Sequence, residues 1–570
     1  MRYLFFSVIG SVCVSLSFAQ PKHIIGTEIN PFAYTITKSK TFAKAAVVSA
    51  HPLASEVGVA IMKMGGNAFD AAIAVNFALT VVYPNAGNIG GGGFMLARKN
   101  DGKLLAFDYR EQAPAAASRN MYLDSAGNVV PDLSINGHLS SGVPGTVAGL
   151  FAMYKYARLP FATLIQPAID LALHGYTVTE SEAGSLNNNK EDFIMFSTKP
   201  TALVKESDWK AGDTLIQPEL AQTLIRIRDN GAKGFYEGET ARLIIEEMKR
   251  GNGLMSYNDL KNYSAKTRTP MQFMYRGYEI ISFPPPSSGG ILLAQMLGMI
   301  EPFPIKEYGF ASPAATGVMI EAERRGYADR AEHVGDPDFY KVPQKEIISK
   351  KYLAERMKDF DSMHASKSTA IKAGILAYES KETTHMSIMD KWGNMVAITT
   401  TLNNSYGSKT VVGGGGFLLN DEMDDFSSKP GVPNMYGAVG GEANAIAPGK
   451  RMLSSMTPSL ILKNKKPFVV VGTPGGTTIP TSVFQTIVDI IDFNMTASQA
   501  VNSPKFHHQW LPDEVDVEPD FPQGTQKLLT AKGYTFKNIG AIGRTEVIKI
   551  TGKGLEAAAD IRGNDSAAGF

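Results

Sequence analysis

A layered α/β/β/α arrangement is predicted by three features of the order in which patterns appear along the chain. Helical periodicity dominates the front and middle, paired strand patterns begin at Thr383, and a helical run near 480–492 follows. Strands are therefore bracketed by helices on both sides, which is how a layered domain buries two sheets. The 570 residues suffice for a core held by packing alone, although length by itself would allow roughly three to five domains. With 44% apolar and 19% charged residues, disordered, collagen-like and coiled-coil classes are excluded. The 56 basic and 55 acidic residues nearly cancel, and no dense Lys/Arg run occurs, so no nucleic-acid partner is expected.

The opening MRYLFFSVIGSVCVSLSFAQ reads as a secretory signal over residues 1–19. Arg2 is its basic end, Leu4 to Leu16 its apolar stretch, and Ser17-Phe18-Ala19 its small-residue cleavage site. That stretch is short for a membrane span, and no later one approaches 18 apolar residues, so no stable span is expected. Cleavage there removes Cys13, the only cysteine, and leaves an exported protein without disulfides, periplasmic or released to the medium. Val12 stands where lipid attachment at Cys13 calls for a small residue.

Leu53, Val57, Ala60, Ile61 and Met64 recur at helical spacing and stop at Gly65-Gly66. Asn67 then caps Ala68 to Thr80, a run apolar nearly all round and therefore buried. Phe94 to Arg98 and Lys103 to Tyr109 flank Asp101-Gly102 as a hairpin. From 145 to 360 helices dominate, at 219–229, 236–250, 289–300 and 314–332, with one strand at Tyr278 to Phe283. Residues 360–382 lose periodicity and read as an exposed linker. Thr383 to Met389 and Asn394 to Thr401 then pair across Trp392-Gly393, followed by strands at Phe417–Leu419, Ser459–Leu462 and Phe468–Val471. No internal repeat of 20–50 residues is present.

Several chemical readings fail. Gly90–Gly93 and Gly413–Gly416 match neither dinucleotide nor P-loop patterns, which leaves tight turns or a close approach of backbone to a ligand. His507-His508 with Asp513 lacks a third histidine, and adjacent strand residues point apart, so a hydrogen-bonded pair is expected rather than a metal site. No G-x-S-x-G elbow occurs. What stands out is Glu379-Ser380-Lys381-Glu382-Thr383-Thr384-His385-Met386-Ser387, where a polar linker meets a strand. Cleavage before Thr383 gives one residue both a hydroxyl nucleophile and an α-amine base titrating at about 7.7–8.0.

Here the sequence resembles the γ-glutamyltranspeptidases, N-terminal-nucleophile hydrolases of αββα fold made as self-cleaving precursors. The matching motifs run in order: Asp108-Tyr109-Arg110-Glu111-Gln112-Ala113-Pro114, then Thr383-Thr384-His385-Met386-Ser387, then Thr401-Leu402-Asn403. Leu419 to Phe426, Lys429 to Asn434, Arg451 to Pro458, Gly472-Thr473-Pro474-Gly475-Gly476, Pro504 to Pro512 and Asp560 to Phe570 follow.

The resemblance implies a four-layer αββα sandwich made jointly by a large subunit, 20–382, and a small subunit, 383–570, cut between Glu382 and Thr383. It implies Thr383 as nucleophile, Thr401 as the residue that orients it, and the amides of Gly475 and Gly476 as the oxyanion site. Arg110, Ser454 and Ser455 would take the α-carboxylate of a γ-glutamyl group. Asn403, Glu422 and Asp425 would take its α-ammonium, with Tyr436 in a lid over the site; some bacterial relatives carry Gln at the position of Glu422. Substrates implied are glutathione, other γ-glutamyl compounds, and amino acid or peptide acceptors, with no metal or organic cofactor. A glutaryl (cephalosporin) acylase shares the nucleophile but has less need of the acidic cluster. A non-cleaving binding relative would be expected to lose Thr383 or the oxyanion glycines.

Overall fold

The computed structural model describes residues 24, 26–371, 382–429 and 441–570. The signal segment 1–19, the linker residues 372–381 and Tyr436 with most of its loop lie outside the described residues. Fourteen strands build two seven-stranded sheets in which every pairing is antiparallel. In chain order they are β1 (Ser39–Phe42), β2 (Ala46–Ser49), β3 (Gly92–Arg98), β4 (Leu104–Asp108), β5 (Lys266–Arg268), β6 (Met271–Tyr275) and β7 (Tyr278–Ser282). After residue 381 come β8 (Glu382–Met389), β9 (Met395–Asn403), β10 (Ser459–Lys463), β11 (Lys466–Gly472), β12 (Glu546–Thr551), β13 (Gly554–Ala558) and β14 (Ser566–Gly569). Sheet I runs β14-β2-β8-β9-β3-β4-β5 and sheet II runs β1-β13-β12-β11-β10-β7-β6.

The main helices are α1 (Pro52–Lys63), α2 (Ala68–Val82), α3 (Phe161–His174), α4 (Pro218–Asn230), α5 (Gly289–Ile300), α6 (Pro313–His333) and α7 (Thr478–Ile491). α1 to α4 share one apolar core with the outer face of sheet I, through Val47, Met95, Met386, Ile388, Val396 and Ile398. The opposite faces of the same strands, through Val48, Phe94, Leu96 and Ala397, meet Val470, Leu460 and Ile548 of sheet II, and α5 to α7 cover its far side. The period-2 alternation of the strands thus separates two cores, and the predicted αββα sandwich is what the chain forms. Asn67 caps α2 with a capping box to Asp70, and every residue of α2 is buried, as its all-round apolar pattern requires. No helix among the described residues is long and apolar enough to cross a membrane.

Both sheets interleave strands from either side of the Glu382–Thr383 bond. β8 and β9 lie between β2 and β3 in sheet I, and β10 pairs β7 in sheet II. A cut at that bond leaves the two pieces sharing both sheets and both cores.

Two expectations fail. Phe417–Leu419 is no strand, forming only the isolated bridge Val411↔Leu418. Its side chains are buried, but its backbone serves a loop: Leu419 N donates to Thr410 O, and Asn420 N to Gly90 O. Nor is 360–371 wholly an exposed linker. Ser368 N donates to Asp513 Oδ2 at 2.9 Å, and Ser368 and Ile371 are buried. Small polar residues without periodicity can be fixed by side-chain hydrogen bonds that no pattern announces.

Gly90–Gly93 is explained by backbone, with no call for a ligand. A Cβ at Gly90 would lie 2.0 Å from Leu418 O, at Gly91 2.1 Å from Thr401 O, at Gly92 2.4 Å from Tyr109 O and at Gly93 2.4 Å from Thr399 O.

Candidate active site

Thr383 sits at an irregularity of the central strand pair. Glu382 opposes Asn403 and Thr384 opposes Thr400, so one residue of β8, Thr383, faces two of β9, Thr401 and Leu402. Such a bulge re-aims a side chain and ends regular pairing. Beyond it Asn403 adopts φ +79°, and its N–H donates to Thr401 Oγ1 at 2.7 Å. Thr401 O accepts from Asn88 Nδ2 at 2.9 Å, which ties the bulge to the glycine loop. Thr383 and Thr401 are 4% and 3% exposed, so in the uncut chain the hydroxyl of Thr383 is covered.

His385 shares the sheet-II-facing side of β8 with Thr383, and its ring lies against Gly472 of β11. It contacts Thr399 Oγ1 through Nδ1 at 2.8 Å and Ser387 Oγ through Nε2 at 3.2 Å. Burial lowers its pKa to about 3, so the ring is neutral at physiological pH and packs the sheets together. Directly after Gly472 the chain turns through Gly475 (φ +132°) and Gly476 (φ +57°) into α7. Thr478 Oγ1 donates to Gly475 O at 2.7 Å and Ile479 N to Gly476 O at 3.1 Å. The turn's carbonyls are thereby occupied, while the amides of Gly475 and Gly476 meet no acceptor among the described residues. Tyr327 OH donates to Thr477 O, and Thr477 Oγ1 to Gln509 Oε1 at 2.8 Å.

His507 belongs to the same packing, touching Thr481 Oγ1 and Gln509 Oε1 at 2.9 and 3.1 Å. His508 faces Asp513 at 3.5 Å. The adjacent histidines are a structural pair, as expected from their spacing.

Arg110, two residues past β4, is fully buried, as are its acidic neighbours. Its guanidinium pairs with Glu422 and Asp425, lies 3.5 Å from Glu111, and donates to Leu453 O at 3.2 Å. One cation thus faces three carboxylates. Burial pushes Glu111 up to about 8, against the pull of Arg110, and raises Glu422 well above the usual carboxylate range. In the same turn burial lifts Asp421 to about 7 and Asp424 to about 6. The acidic run is therefore no solvated loop: it is the buried 3₁₀ turn Glu422–Asp425.

Asn403 Nδ2 donates to Asp421 O at 3.1 Å, joining the nucleophile's strand pair to that turn. Asn444 links the turn to the serines: its Nδ2 donates to Asp425 O at 2.6 Å, and its Oδ1 accepts from Leu453 N at 3.0 Å. Ser454 O accepts from Ser288 N at 2.7 Å and Ser288 Oγ at 2.9 Å. Ser455 Oγ accepts from Arg330 at 3.0 Å. The structure thus brings Arg110, Asn403, Glu422, Asp425 and the Ser454-Ser455 loop into one connected cluster, while Tyr436 is outside the described residues. Sequence reading missed Asn444, which has no local pattern. It also missed Ser288 and Arg330, which the helical runs at 289–300 and 314–332 do not single out.

Two antiparallel sheets packed between helical layers, with a threonine near the start of a central strand, define the N-terminal-nucleophile hydrolase class. Residues 54–570 match the family model described as Gamma-glutamyltranspeptidase. The glutathione hydrolase proenzyme of Escherichia coli (strain K12) is 45% identical over 570 residues, 99% of this chain and 98% of its own. Among solved structures, a cephalosporin acylase from Bacillus halodurans aligns with TM-score 0.82 at 26% identity over 96% of this chain and 99% of that one. A Helicobacter pylori gamma-glutamyltranspeptidase chain aligns with TM-score 0.57 at 43% identity, over 60% of this chain and 97% of that one. The chain belongs to the γ-glutamyltranspeptidase family and is an enzyme of that kind.

Proposed function

We propose that this chain is a self-cleaving precursor whose new N-terminal Thr383 moves γ-glutamyl groups from glutathione and related donors to water, amino acids or peptides. The observation that carries the reading is the buried cluster of one arginine, three facing carboxylates and a serine loop, joined through Asn403 to the strand pair of Thr383. A γ-glutamyl group bears both an α-carboxylate and an α-ammonium, so a site of both signs suits it. A glutaryl group lacks the ammonium and has no use for the acidic turn, although an acylase shares the architecture.

In the precursor, Thr383 Oγ1 attacks the carbonyl carbon of Glu382. The peptide bond breaks, its nitrogen keeps its own hydrogen, takes the proton the hydroxyl gives up and becomes the free α-amine, and an ester remains on Oγ1. Water opens that ester, giving chains 20–382 and 383–570 that stay together through the shared sheets. In the mature enzyme the α-amine takes the hydroxyl proton as Oγ1 attacks the γ-carbonyl. The amides of Gly475 and Gly476 receive the oxyanion, the departing amine takes the proton, and water or an acceptor amine releases the glutamyl group. Arg110, Ser454 and Ser455 hold the α-carboxylate; Asn403, Glu422 and Asp425 hold the α-ammonium; Thr401 orients Thr383. The enzyme acts after export, in the periplasm or released to the medium.

Intact mass and N-terminal sequencing of the wild type beside Thr383→Ala test the reading. Two chains in the wild type, the smaller starting at Thr383, with one chain in the variant and turnover of γ-glutamyl-p-nitroanilide only by the former, are expected. A wild type that stays one chain after prolonged incubation removes the mechanism.

A further inference from the structure

The buried half of α6 carries polar side chains at helical spacing on one face: Glu323, Tyr327 and Arg330, at i, i+4 and i+7. Glu323 accepts from Gln485 Nε2 at 3.0 Å and from His508 N at 2.9 Å, which seats the helix against α7 and the His507-His508 strand. One turn on, Tyr327 holds the carbonyl of Thr477 at the exit of the glycine turn. Arg330 comes last, with its Nε 2.9 Å from Ser288 Oγ and its Nη2 3.0 Å from Ser455 Oγ.

The direction of these bonds matters more than their number. A guanidinium only donates, so both hydroxyl oxygens accept from Arg330. Ser288 then sends its own hydrogen to Ser454 O at 2.9 Å, which closes a ring from helix to serine loop and back. Ser455, accepting from Arg330, must point its hydrogen elsewhere, and it thereby becomes a donor on the side away from the guanidinium. Arg110 meanwhile is crowded by Glu111, Glu422 and Asp425, so the positive field at that end of the site does not come from Arg110 alone.

We propose that Arg330 is a positioning residue for the α-carboxylate of the γ-glutamyl donor, acting through Ser455, whose hydroxyl it orients as a donor and polarises with its charge. This rests on the proposed function, in which Ser455 touches that carboxylate. Arg330 itself touches no substrate atom. It sets which way a neutral hydroxyl faces, and a hydrogen bond strengthened by an adjacent charge is shorter and stronger than a neutral one.

The test compares Arg330→Gln and Arg330→Lys with the wild type on two donors, γ-glutamyl-p-nitroanilide and 4-aminobutyryl-p-nitroanilide. The second is the first without its α-carboxylate. Two chains by intact mass establish that a variant has folded and processed itself. The expected result for R330Q is a KM for the γ-glutamyl donor raised at least tenfold, with kcat within threefold. The ratio of kcat/KM between the two donors should fall at least tenfold, with R330K intermediate. In a Ser455→Ala background R330Q should add less than threefold. Equal losses on both donors, an unchanged KM, or a full tenfold effect in the S455A background each overturn the proposal and leave Arg330 a packing residue. If R330Q stays one chain, R330K decides by the same ratio. A wild type that turns over neither donor overturns instead the function on which the proposal stands, and the proposal with it.

Discussion

The imidazole of His385 and the α-carbon of Gly472 clamp the two sheets at the level of Thr383: a Cβ on Gly472 would lie 2.1 Å from His385 Cε1. The two residues lie on strands of opposite sheets, β8 and β11, and each is followed or preceded closely by a site element. Thr383 stands two residues before His385, and Gly475 three after Gly472. Gly472→Ala must push the sheets apart or turn the ring out of contact with Thr399. An overpacked core of this kind costs about 1–3 kcal/mol. The expected outcome is a lower thermal midpoint together with slower appearance of the two chains. Combined with His385→Ala, which removes the ring, G472A should cost less than it does alone; a purely additive pair of effects in melting and cleavage assays would count against the clamp.

The bulge at Thr401 gives a second prediction. Its hydroxyl oxygen accepts the amide of Asn403 at the left-handed kink. Thr401→Val keeps the shape and removes that acceptor, leaving a buried N–H without a partner at a cost of about 1–3 kcal/mol. The kink is what separates Thr401 and Leu402 as a pair opposite Thr383. Self-cleavage of T401V should slow at least tenfold while Thr401→Ser stays near wild type, measured by the rate at which the small chain appears in mass spectra.

The layers were legible because burial in this fold follows period. α2 is apolar all round and lies buried between α1, α3 and sheet I, and β8 alternates so that Met386 and Ile388 face one core while His385 and Ser387 face the other. The candidate site was legible residue by residue only through long motifs such as that around Arg110. Its electrostatics were not: acids at 421, 422, 424 and 425 next to an asparagine read as solvated surface, yet folding buries all four and sets Glu422 and Asp425 against the Arg110 guanidinium. Nor does any local pattern tie Arg330 to Ser455, which lie 125 positions apart in sequence. The strand expected at Phe417–Leu419 but not formed shows the converse, since apolar side chains can be buried from a loop whose backbone pairs with another loop.

Arg110 is the cation that makes its acidic surroundings tolerable. Replacing it by methionine leaves Glu111, Glu422 and Asp425 buried without their partner, a change that costs about 3–5 kcal/mol when one side of a buried pair is lost. The cost should depend on pH with a definite sign. Carboxyls whose folded pKa is raised bind more protons folded than unfolded, so the stability they contribute is present at low pH and lost as pH rises through the folded value. Wild type already has Glu111 at about 8 even with Arg110 pulling it down. Thermal midpoints of Arg110→Met should therefore fall more steeply than those of wild type between pH 5 and about 8. Parallel curves would show that the acids do not feel Arg110.

The same titration should appear in donor binding, with the opposite consequence. At pH 6 the empty site holds a proton on Glu111, which burial pushes up to about 8. As pH rises through about 8 that proton leaves, the pocket becomes more negative, and an incoming α-ammonium replaces it as the balancing charge. KM for γ-glutamyl-p-nitroanilide should consequently fall as pH rises from 6 to 8, over a range in which the donor's own ammonium stays charged. kcat will also change there, because the α-amine of Thr383 titrates at about 7.7–8.0, so KM is the informative quantity. Glu422→Gln keeps an acceptor beside Arg110 and removes one carboxyl group from the cluster. Its KM should lie above that of wild type, because glutamine can accept from an ammonium but never carries a charge to balance it. Steady-state kinetics of both proteins across that range decide the matter, and a wild-type KM independent of pH would show that the ammonium is not held by these acids.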